Sequence, residues 1–234
     1  MTETEFLDYI RCPLHYQTIH ERKLPFANEP SFNQRLSRIA NVFCLNLMNG
    51  SILHPYELKK KWDKACEEGH LTPQQCMRGI GLLNQTFRWA EDKQLRIADV
   101  NTPYKMVLNG RHGKIEFRGE TGIVSMNSQG GYELLVLDFG NRLPDQSILD
   151  LKLTYTLDCF AFKKLYSKEL GVHLHHVKDN KDYYSYRNKH DFERLIETVD
   201  AVDWNIRNKV YFPRESVFCS NCNMKEICRA WPQK

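Results

Sequence analysis

Hydrophobic residues recur at intervals of three and four positions from Ser31 to about Leu95. This spacing places them on one face of an α-helix and predicts a helical region. Turn-forming pairs divide the region into three helices, at Asn49-Gly50, His54-Pro55 and Thr72-Pro73. A further helix is predicted before Cys12, with Thr2 or Thr4 as its cap, and residues 25–30 are predicted to form a loop.

Near Arg96 the pattern changes to short runs rich in branched and aromatic residues, separated by glycine-containing turns. These runs predict strands at residues 96–100, 104–109, 113–118, 120–126 and 132–139. The helical period returns from Ile148 to about Leu170 and again from Asp191, the predicted cap, to Lys209. Between these two helices, residues 172–178 and 183–187 predict a strand pair with a turn at Asp179-Asn180.

This order of helices and strands predicts a mixed α/β fold. The composition, with 41% apolar and 26% charged residues, is that of an ordinary globular protein. No apolar run approaches the roughly 20 residues needed to cross a bilayer. The first residues carry acids before bases and contain no apolar segment, so we expect no signal peptide, no membrane partner and a cytoplasmic location. The net charge of +4 is compatible with a nucleic-acid partner but does not decide the matter.

The eight cysteines fall into two groups. Four lie singly among apolar or helix-forming neighbours and are predicted to pack as small buried side chains: Cys44, Cys66, Cys76 and Cys159. The other group contains a dense C-terminal run, Cys219-x2-Cys222-x5-Cys228, which supplies three thiolates for a metal. Cys12 precedes a proline in a bend and is the candidate for the fourth ligand. The spacing fits either zinc or an iron–sulfur cluster, and four unligated thiols are the remaining alternative.

The N-terminal cysteine belongs to a recognisable arrangement, Y-x2-CP-x2-Y, formed by Tyr9, Cys12, Pro13 and Tyr16 far upstream of the C-terminal cysteine run. This arrangement and the order of elements between the ends resemble the RecB-like PD-(D/E)xK nucleases that hold a [4Fe–4S] cluster, including the CRISPR-adaptation nuclease and the AddB nuclease domain. The resemblance covers nearly the whole chain. It implies a restriction-endonuclease-like core, with a mixed central sheet flanked by helices, and a cluster bound by the four cysteines.

On this reading the chain is a single domain, since it contains no internal repeat and no low-complexity linker. We distinguish four segments within it: an N-terminal segment with the first cysteine, a helical insertion, the nuclease-like core and the cysteine-rich end, at residues 1–24, 25–98, 99–209 and 210–234.

The catalytic residues of that family do not align with matching residues here. The family pattern is a strand with G-x-x-D, a strand ending in D/E-x-K, and a helix with Q-x3-Y. In this chain Gly122 stands in the aspartate position and Gly140 in the lysine position, while Asp138 keeps a carboxylate. The helix positions fall on Thr154 and Asp158, and the family's upstream histidine has no counterpart. A lone carboxylate does not hold a catalytic Mg²⁺, so the resemblance predicts a nuclease fold without catalysis.

Two displaced sets of residues keep an active enzyme open as an alternative. Glu120 precedes the lost aspartate position by two residues and therefore shares its strand face. The string Asp150-Leu-Lys152 also spells D-x-K, although it lies in a predicted helix start.

A nuclease fold without catalysis can still bind a single strand through a basic track and aromatic faces. The candidate contacts are Arg11, Arg142, Lys152, Lys163, Lys164, Lys178, Tyr184, Tyr186 and Arg187. The tyrosines could instead pack in the core, and Lys163 and Lys164 could form an ordinary solvated helix face.

The sequence thus predicts a catalytically inactive protein that binds single-stranded DNA as an accessory in replication, recombination or transcription. A phage-encoded protein that recruits a polymerase or helicase fits this prediction. An active metal-dependent single-strand exonuclease and a structural subunit that contacts only proteins are the alternatives.

Overall fold

The computed structural model describes residues 1–24, 30–51, 54–225 and 228. Most of the loop predicted at residues 25–30 lies outside the described residues. No helix in the described part of the chain is long and apolar enough to pass through a bilayer.

The described residues form eight α-helices. Their bounds are Glu3–Arg11 (α1), Pro13–Tyr16 (α2), Phe32–Met48 (α3), Pro55–Glu68 (α4), Pro73–Asp92 (α5), Gln146–Leu151 (α6), Leu153–Tyr166 (α7) and Lys189–Arg207 (α8). A π-helical turn, Gln17–Glu21, follows α2, and a 3-10 turn spans Val217–Asn221. Thr2, Ser31 and Thr72 each accept a backbone N–H in a capping box, which satisfies donors that the first helical turn leaves unpaired.

The strands are Arg96–Val100 (β1), Pro103–Gly110 (β2), Gly113–Glu120 (β3), Ile123–Met126 (β4), Tyr132–Asp138 (β5), Leu170–His176 (β6) and Lys181–Ser185 (β7). The chain divides into two compact units, each built from separate stretches of sequence. The sheet unit contains residues 29–102 and 120–188, and the terminal unit contains residues 1–28, 103–119 and 189–234. The single domain proposed from the sequence stays a prediction.

The sheet unit is organised around a five-stranded sheet with the order β1-β4-β5-β6-β7. Strands β5 and β6 run parallel, from Tyr132 opposite Leu170 to Asp138 opposite His176, and the other pairs are antiparallel. Every residue of β6 is buried, as expected for an interior strand with a parallel neighbour. Helix α3 packs against β1, and α7 packs against β5 and β6. This arrangement confirms the mixed α/β fold, with a mixed sheet flanked by helices.

Helices α3, α4 and α5 form the main hydrophobic core together with side chains of β4 and β5. Cys44 and Cys66 are buried in this core and Cys159 is buried in α7, which confirms their predicted packing. Burial raises the pKa of all three thiols to about 12. Cys76 differs from the prediction because it is only half-buried.

The long helix predicted from Ile148 to Leu170 is wrong in two respects. Lys152 adopts an extended conformation, with φ −68° and ψ 113°, and separates α6 from α7. Helix α7 ends at Tyr166 because Ser167 adopts a left-handed conformation (φ 55°) that the helix cannot continue. The apolar pattern runs through both points, so it did not reveal either one.

Four further elements begin at other residues than predicted. Strands β6 and β7 each begin two residues before the predicted pair, and the predicted turn holds, with Asn180 at φ 50°. Helix α8 begins at Lys189, so Asp191 lies within its first turn and not before it, and its carboxylate accepts from the Arg194 guanidinium. The strand predicted from residue 120 begins at Ile123.

The terminal unit combines the β2–β3 hairpin with α1 and α8. Phe6 of α1 contacts Phe117 of β3 edge to face, with ring centroids 5.7 Å apart. The buried carboxylate of Asp200 in α8 accepts from the backbone N–H of His112 at 3.0 Å and lies 2.7 Å from its Nδ1. These contacts hold the turn of the β2–β3 hairpin against α8.

Two glycines of α5 give a matched test of the core. A Cβ on Gly79 would lie 1.9 Å from Cζ2 of the buried Trp62, whereas Gly81 has no heavy atom within 4 Å of its Cβ position. We expect Gly79→Ala to lower the free energy of unfolding by about 1–3 kcal/mol through overpacking. Gly81→Ala should raise it by up to about 1 kcal/mol by restricting the unfolded chain. Urea unfolding of both variants measures the difference, and equal stabilities would contradict this packing of Trp62 on α5.

Candidate functional site

A cleft of about 230 Å³ opens in the sheet unit beside Gly122, where the family resemblance expects a catalytic aspartate. Helices α3 and α7, strand β5 and the residues next to β4 form its walls. Its polar lining comes from Ser37, Asn41, Asn101, Tyr155 and Asp158, and its apolar lining includes Ile123, Leu134 and Val136.

Gly122, which replaces the expected aspartate, lies in this cleft. Its N–H donates to Oδ1 of Asp158 at 3.1 Å. A Cβ at position 122 would lie 2.7 Å from Cδ1 of Leu134 and 3.9 and 4.0 Å from the Asp158 carboxylate oxygens. Among the described lining residues Asp158 is the one acid, so the carboxylate in the cleft comes from α7 and not from the strand.

Asp138 is outside the cleft lining and takes part in a different set of contacts. Its Oδ1 accepts from the N–H of Gly140 at 3.0 Å, and its Oδ2 lies 2.8 Å from Nδ1 of His176. The other nitrogen of this fully buried imidazole lies 2.9 Å from Oδ2 of Asp179. The carboxylate retained from the family motif is therefore a hydrogen-bond partner of a buried histidine.

The displaced residues considered for an active enzyme also lie outside the cleft lining. Glu120 is exposed at the end of β3. Asp150 accepts from Nε2 of Gln146, and Lys152 donates to the hydroxyl of Tyr155 at 2.9 Å. Thr154 is half-buried at the start of α7.

Apart from Arg187, the predicted basic contacts of the sheet unit are exposed, but several have neighbours of their own. Lys163 pairs with Glu169 at 2.6 Å, and Lys164 lies over the ring of Phe160, which fits a solvated helix face. Lys178 donates to the carbonyl of Asn141 at 3.4 Å, so it lies next to the loop that carries the exposed Arg142. Arg11 belongs to the terminal unit, where its guanidinium lies 5.3 Å from the ring centroid of Phe218.

Arg187 does not lie on the surface as proposed from the sequence. It is 9% exposed, and its guanidinium donates to the Thr156 hydroxyl, the Ser185 hydroxyl and the Leu149 carbonyl. Buried guanidinium groups require such partners. The predicted contact with nucleic acid is therefore corrected. Arg187 links α6, α7 and the end of β7 by hydrogen bonds inside the fold.

Tyr184 and Tyr186 are 45% and 74% exposed on the edge strand β7 and just after it. The ring of Tyr184 stacks on the imidazole of His173, with centroids 4.6 Å apart. His173 lies 3.0 Å from Oδ1 of Asp182 and is 7% exposed. One face of the Tyr184 ring thus rests on a fixed side chain while the residue remains open to solvent.

The histidines of β6 are not among the predicted site residues. In the antiparallel register His173 lies opposite Tyr184, and His175 lies opposite Asp182. Oδ1 of Asp182 is 2.8 Å from Nδ1 of His175, whose ring stacks on Trp89 at 4.1 Å. The alternating histidines at residues 173 and 175, followed by the turn and Asp182, were the available signal, because residues opposite one another share a face.

Burial and the hydrogen bonds of Asp182 shift the pKa values in the histidine layer formed by His173, His175 and Asp182. Burial lowers the pKa of His175, against the opposing pull of Asp182. Burial alone would raise the pKa of Asp182, but hydrogen bonds from His173 and His175 hold it below its ordinary value. At neutral pH the layer therefore holds a carboxylate between imidazole donors.

The four candidate metal-binding cysteines lie in the terminal unit, each half-buried with a free thiol. The residues around Cys12 contact the C-terminal segment directly: Leu14 N–H donates to Phe212 O at 3.1 Å, and Arg214 donates to Ile10 O. The two chain ends therefore meet. No three His, Cys, Asp or Glu side chains in the described ranges form a group that could hold a metal ion. The donor types suit a cluster or zinc, but a coordination set is not formed.

Comparisons with known proteins support the fold. No family model and no curated protein matches the chain. The crystal structure of a candidate exonuclease from Eubacterium rectale aligns with a TM-score of 0.60 and 8% identity, covering 100% of this chain and 90% of that one. A second crystal structure, of SSO0001, aligns over 86% of this chain and 94% of that one with 12% identity, but its TM-score of 0.41 carries no argument. The chain has a nuclease-like fold, and at these identities the similarity extends to the fold alone.

The histidine layer predicts a loss of stability in acid. The unfolded chain takes up a proton on His175 near its ordinary pKa of about 6.5, whereas the folded protein does so only at lower pH. Stability therefore falls as the pH drops below about 6.5. We expect His175→Gln to lose less stability than the native protein between pH 7.5 and 5.5, measured by urea unfolding.

His190→Gln is the matched control, because that side chain is exposed in α8. It should lose as much stability as the native protein over the same range. An equal loss in the His175→Gln variant would show that His175 does not govern the acid response.

Proposed function

We propose that this protein binds single-stranded DNA through its nuclease-like fold and does not cut it, acting as an accessory in replication, recombination or transcription. The observation that carries the proposal is the contact between Gly122 and Asp158. At the position where the family resemblance expects a metal-binding aspartate, Gly122 is present instead. Its N–H donates a hydrogen bond to a carboxylate oxygen of Asp158 in α7.

Metal-dependent hydrolysis needs more than one anchored ligand for Mg²⁺ and a group that activates water. The lysine position is Gly140, and Asp138 is engaged by His176 and the Gly140 N–H. Asp158 brings one carboxylate to the cleft, where its Oδ1 accepts a hydrogen bond from Gly122. These contacts favour binding without hydrolysis.

Tyr184 and Tyr186 support the binding part of the proposal. A nucleobase can stack on an aromatic side chain whatever its sequence, and a ring that is already held in place loses little entropy when it does so. Tyr184 meets this requirement because His173 backs it and Asp182 holds His173. Lys181 on the same strand, with Lys178 just before it, provides cations for the phosphates.

An active single-strand exonuclease is the second candidate, and one observation favours it. Asp158 enters the cleft within 4 Å of the place that a side chain at position 122 would take. A carboxylate supplied from α7 could thus replace the lost aspartate if the substrate phosphate and water completed the coordination of a metal ion.

The four cysteines, Cys12, Cys219, Cys222 and Cys228, are proposed to bind a [4Fe–4S] cluster, with zinc as the alternative. The hydrogen bonds between the two chain ends support this proposal, because they bring the segments that carry the thiols together. A cluster there would close a very long loop and stabilise the terminal unit.

Single-strand binding is tested by fluorescence anisotropy with a 5′-labelled oligonucleotide. We expect Tyr184→Ala and Tyr186→Ala each to weaken binding about 5- to 160-fold, the range of about one to three kcal/mol for a lost base stack. Tyr56→Ala is the control, since Tyr56 is 65% exposed on α4, far along the chain from β7. Binding that is absent at low salt, or lost equally in all three variants, would refute the proposal.

Catalysis is tested on the same oligonucleotide with Mg²⁺ or Mn²⁺. Intact oligonucleotide after prolonged incubation is the expected result. Shortened products that disappear in Asp158→Asn would establish the exonuclease in its place.

The metal centre is tested on anaerobically purified protein. We expect broad absorbance near about 400 nm from thiolate-bound iron–sulfur, and its loss together with reduced thermal stability in Cys222→Ser. Cys76→Ser, outside the proposed ligand set, should keep the colour. A colourless protein that contains zinc would replace the cluster by a zinc site, and a protein with neither metal would contradict both.

A further inference from the structure

Tyr184 and Tyr186 rest on two residues of β6 that lie on the same face of the sheet. The ring of Tyr184 stacks on His173, with centroids 4.6 Å apart and 19° between the ring planes. An edge of the Tyr186 ring lies over Gly171, since a Cβ on that glycine would be 3.1 Å from Cε1 and 3.5 Å from Cδ1 of the tyrosine. His173 and Gly171 are two residues apart in one strand and therefore share a face. The two rings form one surface, which we call the tyrosine platform.

The chain that carries the platform is extended. Tyr184 and Tyr186 are exposed, whereas Ser185 and Arg187 are buried. This alternation is that of an extended chain, in which every second side chain points to the same side, and it continues past the end of β7 at Ser185. At a rise of about 3.3 Å per residue, the Cα atoms of the two tyrosines are about 6.6 Å apart.

This separation decides how nucleobases can occupy the two rings. The stacked bases of one DNA strand follow each other face to face at about 3.4 Å. Bases that lie on two neighbouring rings of one surface are side by side instead, at about twice that distance. A stacked strand therefore cannot place successive bases on both rings, whereas a single strand whose bases are splayed out can.

The charges beneath the platform favour contact with bases over contact with phosphates. His173 lies between two carboxylates, 3.0 Å from Oδ1 of Asp182 and 3.4 Å from Oε2 of the buried Glu133. Lys93 pairs with Asp182 at 3.3 Å and compensates one of these two acids. The remaining negative charge repels a phosphate on the rings but not the uncharged face of a base. The bases therefore face the protein, and the sugar–phosphate chain lies on their solvent side.

The edge of the sheet beside the platform is already in contact with α6. Nε2 of Gln146 donates to the carbonyl of Tyr184 and to Oδ1 of Asp150, both at 2.9 Å. Strand β7 is the last strand of the sheet, and this contact occupies one of its backbone acceptors. The strand is thus less able to pair with an added peptide, which favours stacking on the rings over extension of the sheet.

We propose that the tyrosine platform binds two adjacent nucleotides of a single strand with their bases unstacked, one base on Tyr184 and one on Tyr186. This inference rests on the proposed function and specifies the form of nucleic acid that the surface takes. Duplex DNA is excluded, because its bases are paired and stacked. Pyrimidine runs are favoured, since their weaker stacking is more easily opened.

The proposal is tested by fluorescence anisotropy with two oligothymidylates of equal length, one complete and one in which every second nucleotide is abasic. On the complete strand Tyr184→Ala and Tyr186→Ala should each weaken binding about 5- to 160-fold, and the double variant should lose the product of the two factors. The alternating strand can fill only one ring at a time. The native protein should therefore bind it about 5- to 160-fold more weakly than the complete strand.

The single variants should lose much less on the alternating strand than on the complete strand. The strand shifts by one nucleotide to the remaining ring, so for two equivalent rings the loss falls to about twofold. Tyr56→Ala is the control and should bind both strands like the native protein, since Tyr56 is exposed on α4.

The comparison of the two strands with the native protein decides the question even if a variant fails to fold. Equal binding of the two strands would overturn the proposal and leave single-strand binding in place. Equal losses of each variant on both strands would also overturn it, because one base would then span both rings. Absence of binding to either strand at low salt would instead remove the proposed function, and this inference with it.

Discussion

The parallel pairing of β5 with β6 is the interaction on which the rest of the sheet unit depends. It places Asp138 beside His176 at one end, and it makes β6 an interior strand that is buried throughout. Strand β5 forms one wall of the cleft with residues 134–137. Strand β6 pairs with β7, and its His173 stacks on the ring of Tyr184. A change of register by one residue would reverse both sets of side chains, since successive residues of a strand face opposite ways.

Two acids of the sheet unit, Asp138 and Asp158, make hydrogen bonds within the fold. In metal-dependent nucleases carboxylates meet around a cation. Here each acid has a hydrogen-bond donor supplied by the fold: His176 and Gly140 for Asp138, and Gly122 for Asp158. Charged groups that are satisfied in this way stabilise the folded state without a metal ion. The proposed function assigns the aromatic edge at Tyr184 to binding and assigns no catalysis to the cleft beside Gly122.

Much of the architecture could be predicted from local patterns. Thr2, Ser31 and Thr72 indicate where helices begin, because each side-chain oxygen accepts a backbone N–H of the first helical turn. The glycine-containing turns indicate where the strands begin and end. The break at Lys152 could not be predicted, because the apolar spacing is continuous across it. The burial of Arg187 depends on acceptors from residues 149, 156 and 185, which only the folded chain brings together. The hydrogen bond between Gly122 and Asp158 also forms only in the folded chain. The motif comparison named both positions but could not show that they are in contact.

The most direct test of the account is a Mn²⁺ titration followed by electron paramagnetic resonance, performed with and without a single-stranded oligonucleotide. The account predicts that Mn²⁺ stays free in the presence of protein alone, and that adding the oligonucleotide adds only the weak binding that the oligonucleotide shows by itself. One tightly bound Mn²⁺ per chain that is lost in Asp158→Asn would contradict it, because the cleft would then be a working metal site.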